Sequence, residues 1–166
     1  MALVLSDAST LIHLAAIGRL TLLRELYQKI TIPSAVWREV VEEGKGRVGT
    51  KEIEAARQAG WIETVSPTNA PLLRLLQRDL DDGESAVIAL AIERSADLIL
   101  LDETDARQVA ERYGLRKTGV IGVLMRAKRE GKIASLQAEL DRLRSQGGFW
   151  IAERLYQRAL RAVREK

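Results

Sequence analysis

The chain has 166 residues, 46% of them hydrophobic, no cysteine and a net charge of +3. That length suits one domain with apolar material for a sizeable core, while the lack of cysteine excludes disulfides, thiolate zinc sites and a thiol nucleophile. "MALVLSD" has no basic lead, and the apolar run "AVIALAI" at 86–92 falls far short of the ~20 residues a membrane span needs. The expectation is therefore a cytoplasmic protein with no membrane partner.

In chain order, "ALVLS" (2–6) reads as a buried strand, followed by Asp7 and a helix over "STLIHLAAIG". "KITIP" (29–33) is a second strand, leading into the helices "PSAVWREVVEEG" and "TKEIEAARQAG". "WIETV" (61–65) is an edge candidate, and "VSPTNAPLL" (65–73) reads as a connecting loop. "GESAVIALAIERSA" is a helix apolar nearly all round, hence buried. "DLILL" (97–101) is a strand that opens into "DARQVAERYG", and "LRKTG" (115–119) suits a further short strand. Several of these helices close on a Gly in the C-terminal capping position. Alternating strand and helix predicts an α/β protein with a central parallel sheet of four to five strands flanked by helices.

The chain is expected to form a single domain over 1–166, with a core at about 2–125 and a helical C-terminal extension at about 126–166. Charge divides along the same line: residues 1–125 carry 15 Lys and Arg against 18 Asp and Glu, whereas residues 126–166 carry 11 against 5. A basic tail of this kind suits a polyanionic partner or a solvated helix face. On a helical wheel the last segment places Ile151, Leu155, Ala159, Ala162 and Val163 on one side, opposite Arg154, Arg158, Arg161 and Arg164. "GGFW" (147–150) is a hinge before it, and the helix packs on its own domain or reaches a second protein.

Four acids stand out by position. Asp7 and Asp102 each follow a strand and open a helix, and in a parallel sheet all strand C-termini share one edge, where open α/β folds build their sites. Adjacent strands lie about 4.8 Å apart, close enough for two such acids to share a cation. Asp102 also suits helix capping, with Asp105 in the first turn. Glu84 falls on the side of Val87, Ile88 and Ala91, a buried face that calls for a partner, although a first-turn glutamate facing the helix dipole explains it too. Glu39 borders the apolar arc of Val36, Val40 and Val41, with Glu43 one turn on. Such like charges repel by roughly 0.2 to 0.5 kcal/mol, a sign that a cation reverses.

Asp7 in "SDASTLIHL", Glu39 in "IPSAVWREV", Glu84 in "DDGESAVIALA" and Asp102 in "LILLDETDAR", in this order, resemble the acidic motifs of PIN-domain nucleases. The resemblance covers roughly 2–125 and extends to "TGVIGVLMRAKREGKI" (118–133), which resembles a later helix of a prokaryotic branch related to VapC-like toxins. It implies a PIN-like fold, Mg²⁺ or Mn²⁺ held by the acids, and endonucleolytic cleavage of RNA. It also implies a homodimer and an antitoxin protein as partners. Many such toxins carry aspartate where this chain has Glu84, and Asp102, Glu103 and Asp105 compete for the position after the fourth strand. Asp102 is preferred because it comes first, with Asp105 one turn on, behind that metal or on a second one.

Hydrolysis of a phosphodiester needs a deprotonated water in line with the leaving oxygen, and hard carboxylate oxygens select Mg²⁺ or Mn²⁺ for that work. On the resemblance, Asp7 and Asp102 bind the metal directly, Glu39 and Glu84 act through water or complete a second site, and Ser9 positions water or phosphate. His13, the single histidine, reads as a packed residue before a general base. Trp37, Trp61 and Trp150 read as core anchors before base-stacking residues. Two rivals are a PIN-like scaffold that binds RNA or protein without cutting, and a phosphatase with Asp7 as nucleophile. The latter wants an acid where this chain has Ser9.

Overall fold

A computed structural model describes residues 2–44 and 46–165. Five strands, β1 (Val4–Ser6), β2 (Ile30–Pro33), β3 (Ile62–Val65), β4 (Leu98–Leu100) and β5 (Lys117–Thr118), form one sheet in the order β3-β2-β1-β4-β5. Every pairing is parallel, with Leu5 opposite Thr31 on one side and Ile99 on the other. β1 and β2 are buried at every residue, Ser6 and Thr31 included, rather than alternating, as cover on both faces produces. The chain builds leftward from β1 to β3, then crosses back to add β4 and β5, so the order reverses between β1 and β4. Such a reversal leaves a crevice beyond the strand C-termini.

Helices α1 (Ala8–Ala16) and α2 (Leu22–Tyr27) follow β1. Helix α3 (Ser34–Trp37) continues through a π-helical turn at Arg38–Glu42, where Glu43 N–H reaches back five residues to the Arg38 carbonyl. The buried Thr50 hydroxyl lies within hydrogen-bonding reach of the Val40 and Gly44 carbonyls at the end of this turn. Helix α4 (Thr50–Gln58) precedes β3. The segment read as a loop at 65–73 is one only up to Asn69, whose side chain accepts from Leu72 N–H and starts α5 (Ala70–Leu76), with Pro71 tolerated in the first turn. Helix α6 (Asp82–Arg94) is buried nearly all round, as its composition predicts, and α7 (Thr104–Arg112) follows β4.

The C-terminal helices α8 (Val120–Arg129), α9 (Leu136–Ser145) and α10 (Glu153–Ala162) share one hydrophobic core with the sheet. Glu139 on α9 is buried and takes both Arg19, by a two-pronged contact at 3.0 and 2.8 Å, and Arg142. Glu165 accepts from the Leu136 N–H at 2.6 Å, closing the start of α9. Helix α10 packs on α9, but on a face rotated from the expected one: Tyr156, Ala159 and Leu160 are buried, while Leu155 and Ala162 are exposed. The Tyr156 hydroxyl finds Asp141 at 2.8 Å, which lets a large polar-tipped ring take the inner row.

Candidate functional site

The crevice at the strand reversal holds a cleft of about 390 Å³. Its floor comes from the start of α1, where Asp7 and Ser9 line it, and its walls carry Glu39 from the π-helical turn, Asp81 and Glu84 from the start of α6, and Glu103 and Asp105 from the start of α7. Among the described lining residues there is no lysine, arginine or histidine.

Asp7 is 3% exposed and fully engaged: one oxygen accepts the Thr10 N–H at 2.9 Å, capping α1, and the other accepts the Asp102 N–H at 3.1 Å. Burial pushes its carboxyl up to about 7, and the Asp102 charge adds to this against the two N–H donors. Glu84 sits in a capping box, in which the Asp81 side chain accepts the Glu84 N–H at 2.8 Å and Glu84 accepts the Asp81 N–H at 3.3 Å. The first-turn reading of Glu84 thus holds, and the residue still lines the cleft. Burial, then the Asp81 charge, raises its carboxyl above the usual range. Glu39 is raised as well, by burial and then by Asp81 and Glu43. A Cβ at Gly83 would come within 2.9 Å of the Glu39 carboxylate, so bare backbone there lets Glu39 approach α6.

Asp102 does not line the cleft. One of its oxygens accepts the Val120 N–H at 2.8 Å and the other the Thr10 hydroxyl at 3.0 Å, which turns the carboxylate away from the cleft and toward the start of α8. Nor does it cap α7, whose N-cap is Glu103 without a side-chain bond. Gly119 makes the turn fit, since a Cβ there would lie 2.5 Å from the Asp102 oxygen. The structure therefore brings Asp7, Ser9, Glu39, Glu84 and Asp105 to one cleft and holds Asp102 directly behind Asp7. Three participants stand outside the residues that the sequence favours. Glu103 lines the cleft beside Ser9, whose hydroxyl lies 3.5 Å away; Asp81 lines it from the start of α6; Thr10 joins Asp7 to Asp102. Asp81 leaves a signal in the Asp-x-x-Glu spacing of a capping box, and Glu103 in its place among the acids after the fourth strand.

His13 stays out of the cleft lining, as a packed residue would. Its Nδ1 is buried without a hydrogen bond, 3.5 Å from Asp102, and its ring meets Phe149 edge-on at 4.7 Å.

Among the described residues no three acidic or histidine side chains already close on one point as a metal-holding group. The donor set nevertheless fits a hard divalent cation: carboxylate oxygens from four elements crowd one cleft without a cationic side chain, and three of them are held above their usual pKa range.

The open, all-parallel α/β fold carries its crevice at the strand reversal, and here that crevice is a carboxylate-walled cleft. The model of the PIN-domain family matches residues 3–165, and the chain is a member of that family, whose proteins are generally nucleases. No curated protein matches the chain.

Proposed function

We propose that the protein is a Mg²⁺- or Mn²⁺-dependent endoribonuclease that hydrolyses RNA phosphodiester bonds at the acidic cleft. The observation that carries this reading is the crowding of Asp7, Glu39, Glu84, Glu103 and Asp105 around one cleft with no cation among its described lining residues. A polyanionic substrate is repelled from such a cleft unless divalent charge neutralises it.

Asp7, Glu39, Glu84, Glu103 and Asp105 are the residues that would hold the metal, and Asp102 acts behind them by fixing Asp7 through its N–H. When bound, a divalent ion supplies an acidified water and charge neutralisation at the phosphate. The raised Asp7 carboxyl makes it a group able to hold a proton near neutral pH. The Ser9 hydroxyl stands at the cleft floor, where it can donate to a phosphate oxygen.

The same reading makes the protein the toxin of a toxin–antitoxin pair acting as a homodimer in the cytoplasm. Its support is the resemblance at 118–133. Among the described residues no helix is long and apolar enough to cross a membrane.

Incubating the protein with a mixed RNA pool in Mn²⁺ or in EDTA tests the proposal. Fragments are expected in Mn²⁺ alone and not with Asp7→Asn. Release of phosphate without chain cleavage would point to the phosphatase, and intact RNA in every divalent ion would leave the binding scaffold.

A further inference from the structure

Without a divalent ion the acidic cleft repels nucleic acid, so metal-free affinity for it must come from elsewhere on the surface. Residues 126–166 contain five acids, and all five are committed within the fold. Glu130 pairs with Arg126 at 2.6 Å, and Glu139 with Arg19 and Arg142. Asp141 accepts the Tyr156 hydroxyl, Glu153 pairs with Arg144 at 3.3 Å, and Glu165 holds Lys128 and the start of α9. By contrast, Arg154, Arg158 and Arg161 on α10 and Arg164 just past its end are exposed and make no ion pair among the described residues. These four arginines are therefore a surface charge that no described residue neutralises.

At the head of that helix stands Trp150, 83% exposed, whereas Trp61 is buried and Trp37 lies under Arg57 at 4.4 Å. Its neighbours pin it on both sides. Phe149 N–H donates to the Leu143 carbonyl at 3.0 Å and its ring packs on His13, while Ile151 is buried and its carbonyl accepts from Arg144 at 3.1 Å. Gly148, at φ +62, supplies the turn before them. The indole is held out between two anchored residues, at low cost in ordering when something stacks on it. The contacts from Phe149 to His13 to Asp102 place this loop against the flank of the acid pair.

We infer that Trp150 and the arginines of α10 form a docking face for single-stranded nucleic acid, with one base stacked on the Trp150 indole and adjoining phosphates held by Arg154 and Arg158. An unpaired base offers its flat face, which a duplex keeps inside the stack. A protein partner fits less well, because interface cores are depleted in charge and a second copy would bring like charges together across a two-fold axis. Naming RNA as the strand rests on the nuclease reading; the docking face does not.

The test is fluorescence anisotropy of the full chain with a labelled single-stranded RNA, the same sequence as DNA, and an RNA duplex, all in EDTA so that no hydrolysis intrudes. Trp150→Ala is expected to weaken single-strand binding roughly 5- to 100-fold at unchanged melting temperature, and Trp150→Phe to restore most of it. Arg154→Gln with Arg158→Gln should flatten the salt dependence by about 1.4 in log–log slope. Preferential loss for RNA over DNA ties the face to the proposed substrate, and equal loss for both still supports a single-strand platform. Unchanged affinity in Trp150→Ala overturns the inference. So does a wild-type oligomer that Trp150→Ala dissociates without loss of RNA binding, which assigns the face to a second copy. A protein that binds through Trp150 but never cleaves overturns the nuclease reading alone.

Discussion

The Asp102 backbone N–H donates to the Asp7 carboxylate over 3.1 Å, so the end of one central strand is fastened to the acid that closes its neighbour. Asp7 is thereby both a structural fastener and the floor of the cleft. These two duties respond differently to protonation.

The folded Asp7 carboxyl titrates near 7 against an ordinary value of 3.8. Between those values the native state keeps a proton that the unfolded chain has lost, so stability declines as pH rises through this window, by up to about 1.4 kcal/mol per pH unit from this group. Metal-free melting temperatures at pH 4 to 8 should therefore fall more steeply for wild type than for Asp7→Asn. Parallel curves would mean that burial does not raise this carboxyl.

Divalent ions should reverse that loss. A ligand that binds only the folded state stabilises it by about 2.7 kcal/mol at 100 times Kd. Mn²⁺ is thus expected to raise the melting temperature more at pH 8 than at pH 5, because protonated carboxyls compete with the metal. Glu39→Gln and Glu84→Gln should each shrink the increment while raising the metal-free value. An increment that neither substitution alters, at fixed ionic strength, would place the ion elsewhere.

Asp102 and Gly119 should behave as a pair. Asp102→Ala leaves the Val120 N–H and the Thr10 hydroxyl without their acceptor, at a cost of about 2 to 4 kcal/mol. Gly119→Ala drives a methyl into the same oxygen and should cost a comparable amount. In urea unfolding the double variant should lose less than the sum of the two, since both break one contact; strict additivity would separate them.

Glu139 joins the C-terminal helices to the core. Burial works against its ionisation, but Arg19 and Arg142 outweigh this and hold the carboxyl low. Glu139→Ala should cost about 1 to 3 kcal/mol, discounted because both arginines are about a third exposed. Amide hydrogen exchange should quicken in α9 and α10 while the strands stay protected, a contrast that uniform acceleration would refute.

The strands were legible because runs such as "ITIP" and "LILL" are too short and too apolar to be surface helices, and the parallel order followed from their alternation with helical stretches. The choice between Asp102 and Glu103 was not legible, because successive residues of extended chain face opposite ways. Which of the two enters the cleft depends on the side where α8 begins, and on Gly119 seventeen residues later. The face of α10 was misread for a similar reason. Two adjacent apolar rows lie on that helix, and only the distant Asp141, by receiving the Tyr156 hydroxyl, decides which one turns inward.

The pairing of β1 with β4 sets Leu5 against Ile99, and Asp102 is steadied by the N–H of Val120. Contacts spanning that much sequence close slowly, since loop closure must be met before they form. During synthesis, a ribosome-bound chain that ends before Val120 has emerged lacks the strand partner or the anchor that sets the acid pair. The acid pair is therefore set only once Val120 has emerged, so a chain terminated before it is a fragment without an organised acidic centre.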